Sequence, residues 1–216
     1  MFTEILNYPA LAIGRVIALV VALTIHEFSH AFAAYQLGDT TAQRAGRMTL
    51  NPLAHLDPIG SLMMITIGFG WAKPVPVNPQ NLRGNKLRGM AITAAAGPIS
   101  NILQAFVFAL PIRFGLTDLD MSYVPGAVFP TVGETLSLLV WINLLLAVFN
   151  MIPLGPLDGL KVLMGLLPQD MAVRLEPLAQ YGSLLLLMLM VWGRGLLGSL
   201  IYPPAMHMMG LLTGSW

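Results

Sequence analysis

Along most of the chain the apolar positions follow neither the two-residue period of a strand nor the narrow stripe of a surface helix. They form long unbroken runs separated by short polar stretches rich in Gly and Pro. The first run extends from about Pro9 to Leu37 and stops at Gly38-Asp39-Thr40; two more extend from about Lys86 to Phe114 and from about Thr131 to Ile152. Each is long enough as a helix to cross the roughly 30 Å of bilayer hydrocarbon, which takes about 20 residues. Leu160 to Leu167 predicts a short helix stopped by Pro168, and Gln169 to Gln180 an amphipathic connector. Gly182 to Trp192 and Leu196 to Leu212 are again apolar, split by Gly193-Arg194-Gly195 and by Pro203-Pro204, and fit one span, two spans or a hairpin. Between the first two runs the pattern changes. Residues 42–50 and 71–78 partly alternate and predict short strands, the second confined by Pro74 and Pro76 to a sheet edge. Ile59 to Gly70, apolar but only 12 residues long, predicts a re-entrant or partial helix.

Composition places this pattern in a membrane. Of 216 residues 56% are hydrophobic and 10% charged, which excludes an ordinary soluble domain and implies a polytopic, all-α protein in a lipid bilayer. A net charge of +1 gives no sign of nucleic-acid binding. With no cysteine, only His and carboxylate side chains remain as strong ligands for zinc. The N-terminus MFTEILNYP has no basic n-region, so the first run is expected to be a retained span. Arg44, Arg47, Lys73, Arg83, Lys86 and Arg88 crowd the connection between the first two runs, where only Asp39 and Asp57 oppose them; the loop from Gly115 to Pro130 has Asp118 and Asp120 and no base. The positive-inside rule puts the first connection in the cytoplasm. Arg15 reads as a side chain snorkelling to the opposite interface.

The chemistry is concentrated in His26-Glu27-Phe28-Ser29-His30, an HExxH motif inside the first run. At 100° per residue, positions i and i+4 return to within about 40° of each other and about 6 Å apart along the axis, so the two imidazoles can grip one metal ion. In soluble zinc hydrolases with this motif the Glu is the general base acting on water. HExxH on a solvated helix is weak support for a metal. Here LAIGRVIALVVALTI precedes the motif and AFAAYQL follows it, so its polar groups have no solvated face, and ionisable groups at membrane depth are costly unless paired or liganded. The third run ends in NMIPLGPLDG, whose prolines and glycines interrupt the helix just before Asp158. The motif lies near the far, cytoplasmic end of its helix, about 26 Å along from Pro9, and Asp158 arrives on that same side. A buried carboxylate needing a partner and a site needing a third ligand answer each other. Asn101, a turn beyond Gly97-Pro98, fits a hydrogen bond across a helix interface as well as it fits a role in holding substrate or site geometry. His207, among methionines, is a weaker metal candidate.

With HEFSH at 26–30, NPLAHLDPIGS at 51–61, GFGWAKPVPVNP at 68–79, AAAGPISN at 94–101 and FNMIPLGPLDG at 149–159, in that order, the chain resembles the site-2 protease family of intramembrane zinc metalloproteases. The resemblance implies a three-helix catalytic core with a re-entrant or β-hairpin insertion on the cytoplasmic side and additional C-terminal helices. It implies one Zn2+ per chain on His26, His30 and Asp158, Glu27 as catalytic acid/base, and Asn150, eight residues before the ligand Asp, at the active site. His55 fits a structural hydrogen bond, or else a gating or fourth-ligand role. The similarity is to compact members without PDZ or CBS domains, a single domain over 1–216 with its core at about 9–167 and C-terminal helices at about 177–213. Expected substrates are transmembrane proteins, cleaved from the cytoplasmic side of a plasma or inner membrane; the oligomeric state is open. The competing class is an inactive membrane relative that binds transmembrane helices or metal.

Overall fold

The structure, a computed structural model, describes residues 6–60, 63 and 71–215. Its helices are α1 (Pro9–Gln36), α2 (Thr41–Arg44), α3 (Lys86–Arg113), α4 (Val132–Asn150), α5 (Asp158–Leu166), α6 (Gln169–Val173), α7 (Glu176–Trp192) and α8 (Arg194–Thr213), with 3-10 turns at Pro52–Ala54 and Pro79–Asn81. Among the described residues, α1, α3, α4 and the α6–α7 stretch Gln169–Trp192 are long and apolar enough to cross a membrane, as expected of a multi-pass membrane protein.

The boundaries follow local chemistry. Pro9 occupies the first turn of α1, where its missing N–H costs nothing, and Gly38 ends the run at φ +104°, a backbone region open to glycine. Asn85 caps α3 by accepting from the Arg88 amide. At α4, Thr131 and Glu134 form a reciprocal capping box. The C-terminal ambiguity resolves into two helices, α7 and α8, parted at Gly193.

α3 is the hub, packed against α1, α4, α5 and α8. In lipid there is no hydrophobic force between helices, so they associate where small residues allow close contact. α1 supplies Ala10, Gly14, Ala18 and Ala22 at four-residue intervals, all buried. A Cβ on Gly14 would come within 2.7 Å of Leu138 Cδ1. Ala18 and Ala22 lie in a core cluster with Leu138, Leu139 and Ile142 of α4; a second cluster joins Ala105 and Ala109 of α3 to Val140 and Leu144 of α4 and Met209 of α8.

Hydrogen bonds from the Ala10 amide to Ala127 O and from Gly126 to Asn7 tie the start of α1 to the loop of residues 115–130, while Arg83 N to Leu37 O ties its end to the approach of α3. The acidic loop and the basic connection thus lie at opposite ends of α1.

The strand expectation fails. Residues 41–44 form helix α2, and among the described residues the only β pairing outside helices is a single antiparallel bridge, Leu56 to Ala72. Residues 73–78 are extended, but their backbone groups are taken elsewhere. The Lys73 amide donates to His55 O, Val75 to the Glu27 carboxylate and Asn78 to Asp39 Oδ2; Arg47 donates to the Lys73 and Pro74 carbonyls. Pro74 and Pro76 have no amide to offer a ladder. Most of the expected re-entrant segment, residues 59–70, lies outside the described residues.

Candidate active site

His26 and His30 sit in the second half of α1, one turn apart, and the break after α4 brings Asp158, the first residue of α5, against them. His26 Nε2 and His30 Nε2 are 3.0 Å apart, and Asp158 Oδ2 lies 3.3 Å from the first and 3.1 Å from the second. All three side chains are buried.

The far side of each imidazole decides what this triangle can hold. His30 Nδ1 is 2.7 Å from Thr93 O, a carbonyl that only accepts, so the proton is on Nδ1. His26 Nδ1 is 2.6 Å from Asn101 Oδ1, and that amide is oriented by a chain of contacts. Asn143 Nδ2 donates to Leu139 O; Asn143 Oδ1 must then accept from Asn101 Nδ2, which also donates to Ala22 O; Asn101 is left with its oxygen facing His26. The relay starts from a backbone carbonyl and fixes His26 as the Nδ1–H tautomer. In the neutral rings both Nε2 atoms therefore carry lone pairs, aimed at one another and at a carboxylate oxygen. With both rings neutral, three electron-pair donors converge on one point, an arrangement that can hold a metal ion. The edges also fit: ligands about 2.0–2.1 Å from a tetrahedral zinc stand about 3.3 Å apart.

Gly97 permits this packing. A Cβ there would lie 2.6 Å from His26 Cε1 and inside contact distance of the His30 ring. Beside the triangle is a cavity of about 310 Å³, lined by the two histidines, Asp158, Glu27, Asn150, Lys161 and the Val75–Val77 side of the extended segment. Among its lining is Lys161, whose side chain is 47% exposed and whose Nζ is 3.6 Å from Asp158 Oδ1. Glu27 Oε2 accepts from the Val75 amide at 3.2 Å. A carboxylate, a three-donor metal cradle and space for a peptide share one open cavity, the requirement of metal-assisted hydrolysis.

Of the residues singled out in the sequence, His26, Glu27, His30, Asp158 and Asn150 meet at the cavity, and Asn101 stands behind His26. Asn150 donates from Nδ2 to Leu146 O of its own helix. His55 is apart from the triangle: its ring is buried, with Nε2 2.8 Å from Thr49 O, the structural bond that was one of its two readings. His207 is on α8, outside the candidate ligand group. Thr93 and Asn143 were not singled out by sequence reasoning, which noted Gly97 only for its place beside Pro98 and Arg47 only as one of the clustered bases. Asn143, a polar residue inside an apolar span, carried the signal that could have found it.

The profile of Peptidase family M50 matches residues 120–190. The "Putative zinc metalloprotease YwhC" of Bacillus subtilis is 39% identical over 189 residues, 86% of this chain and 84% of that protein. The "Putative zinc metalloprotease Rip2" of Mycolicibacterium smegmatis is 29% identical over 192 residues, 86% of this chain and 70% of that one. A shorter stretch of 77 residues, 32% of this chain, is 40% identical to the "Putative zinc metalloprotease MJ0611" of Methanocaldococcus jannaschii, of which it covers 31%. No solved structure matches. The similarity to YwhC extends over most of both proteins, and with it the chain belongs to peptidase family M50.

Proposed function

We propose that this chain is an intramembrane zinc metalloendopeptidase that hydrolyses peptide bonds in or near transmembrane segments of membrane-protein substrates. The observation that carries the reading is the convergence of His26, His30 and Asp158 ligand atoms within about one metal-coordination edge of each other beside Glu27 in one open cavity. His26, His30 and Asp158 hold zinc, one ion per chain. When bound, zinc supplies Lewis acidity toward water and toward a carbonyl oxygen. Glu27 takes the proton of the attacking water and returns it to the leaving nitrogen. Asn101 keeps His26 in its ligating tautomer, and Asn150 contributes to the wall against which substrate rests. The whole of 1–216 acts as one domain.

A transmembrane substrate arrives as a helix with its carbonyls engaged, so cleavage needs a locally unwound stretch. The segment at 73–78, with Val75 and Val77 lining the cavity, forms the wall against which such a stretch lies once some of its hydrogen bonds are exchanged. Substrates with helix-breaking residues near their cytoplasmic end are preferred. The clustering of bases around residues 44–88 supports a plasma or inner membrane location with the site toward the cytoplasm.

The test is Glu27→Gln in detergent-purified protein, with zinc content measured beside cleavage of an unstructured fluorogenic peptide. Zinc stays at wild-type level and cleavage is abolished. Turnover comparable to wild type would remove Glu27 from the mechanism.

A further inference from the structure

Hydrolysis by this site moves a negative charge from Glu27 onto the carbonyl oxygen, and the described residues around the cavity contain few groups able to receive it there. Water adds to the carbonyl carbon as Glu27 takes its proton, and the carbonyl π pair moves onto oxygen. When the C=O reforms, the C–N bond breaks and the proton on Glu27 passes to nitrogen, so water and peptide become a carboxylic acid and an amine with no redox change. The oxyanion between these steps is where a fixed donor contributes most to rate.

The donors can be taken in turn. Asn150 gives one of its two amide hydrogens to Leu146 O and keeps one neutral donor, Thr93 Oγ1 donates to Gly89 O, and the Val75 amide is engaged by Glu27. Both histidines direct Nε2 into the ligand triangle. The rest of the described lining is Pro, Val, Met and Ala, apart from the two carboxylates and one cation, Lys161. Lys161 stands one turn after Asp158 on α5, with Nζ 3.6 Å from Asp158 Oδ1 on a side chain still half exposed. An ammonium with three donors can face Asp158 and keep others for a second oxygen.

The charges point the same way. With a divalent cation held by two neutral imidazoles and Asp158, the ionised Glu27 makes the group neutral; when Glu27 takes the water proton the negative charge passes to the carbonyl oxygen, and Lys161 is the one cation in the described lining that can meet it there. We propose that Lys161 is a catalytic residue of this site, holding the oxyanion and then the new carboxylate. The proposal rests on the proteolytic reading above.

The experiment compares wild type, Lys161→Met, Lys161→Gln and Lys161→Arg in three measurements: zinc per chain, kcat and KM on the unstructured fluorogenic peptide, and affinity for a phosphinic peptide, whose tetrahedral anion imitates the oxyanion. The Met and Gln variants keep their zinc and their KM, lose about 100-fold in kcat, and bind the phosphinic peptide more weakly by a similar factor; Arg restores most of both. Unchanged kcat and inhibitor affinity in Met and Gln would overturn the proposal. So would a loss that tracks falling zinc content and disappears with added zinc, since Lys161 would then only orient Asp158. If one variant does not fold, the other two carry the comparison. A wild type that holds zinc but cleaves nothing would end the proteolytic reading, while the phosphinic-peptide measurement would still decide whether Lys161 receives an anion.

Discussion

The two walls of the cavity are built on different physics. The metal side, the floor of the cavity, hangs from four helices: His26 and His30 on α1, their partners Asn101 and Thr93 on α3, Asn143 on α4, and Asp158 opening α5. Every one of these polar groups is buried and held by a partner inside the bundle. The opposite wall, the roof formed by residues 73–78, has no regular structure and is held by side chains reaching from elsewhere: Arg47 on two carbonyls, Asp39 on one amide, Glu27 on another. The difference teaches how one site can be both accurate and open. Metal geometry must be set within tenths of an ångström by packing, whereas a wall that admits a polypeptide must be releasable by exchanging a few hydrogen bonds with it.

If the metal side is set by packing, the most damaging small change is a methyl group at Gly97. Alanine there favours the helix by about 1 kcal/mol, yet its Cβ would press on both imidazoles. Gly97→Ala is expected to lose most of its zinc and all measurable cleavage, while Gly195→Ala, where nothing lies within 4 Å, changes neither. Metal analysis of the two purified variants checks it; zinc retained in Gly97→Ala would mean the floor yields as readily as the roof.

The relay behind His26 comes next. Asn101→Leu removes the acceptor that fixes the tautomer and is expected to weaken zinc binding about 10- to 100-fold. Asn143→Leu acts in the same direction but less, because Asn101 keeps its bond to Ala22 O. Competition against a chelator of known affinity measures both.

The contrast between the walls also marks what could be read from the sequence. Helices that cross the bundle announce themselves through apolar runs and caps such as Thr131 with Glu134, because their stability is local or lipid-driven. HExxH implied a helix face with two imidazoles, and Asp158 was suspect because a carboxylate beside a broken span needs a partner. The orienting groups were not legible in the same way. Thr93 contributes a backbone carbonyl, which any residue has, and Gly97 contributes the absence of a side chain. The roof was misread because alternation at 71–78 imitates a strand, whereas Pro-x-Pro removes the amides a ladder needs and Arg47, 26 residues away, takes the carbonyls.

The roof gives the third effect. Arg47→Ala frees the Lys73 and Pro74 carbonyls and loosens the Val75 amide that steadies Glu27, at the cost of charge-assisted hydrogen bonds. Loss of one such bond, about 1.5–3 kcal/mol, corresponds to a fall in kcat of about tenfold or more if it is felt at Glu27, with zinc content unchanged. Steady-state kinetics and metal analysis on the same sample separate this from damage to the floor; zinc lost together with kcat would show the two walls to be one unit.

The smallest effect is at the far end of the roof, and it depends on pH. Burial alone would raise the Asp39 carboxyl, but donors from Thr41, Asn78 and Asn81 outweigh it and hold the group below its ordinary 3.8. A carboxylate depressed in the folded state binds fewer protons than the unfolded chain between the two values, so stability there rises with pH. The contribution is complete above the ordinary value and is lost as pH falls through the lower folded one. Protonation removes acceptors from the Asn78 amide and the Asn81 side chain, so the 73–81 segment should loosen on acidification before the α1–α3–α4 bundle does. Limited proteolysis with an acid-active protease across pH 5 to 2 reads this as cleavage in residues 71–85, with Asp39→Asn already cleaved there at pH 5. Nicking that begins instead within α3 or α4 would place the weak point in the floor and reverse the assignment of which wall is built to give way.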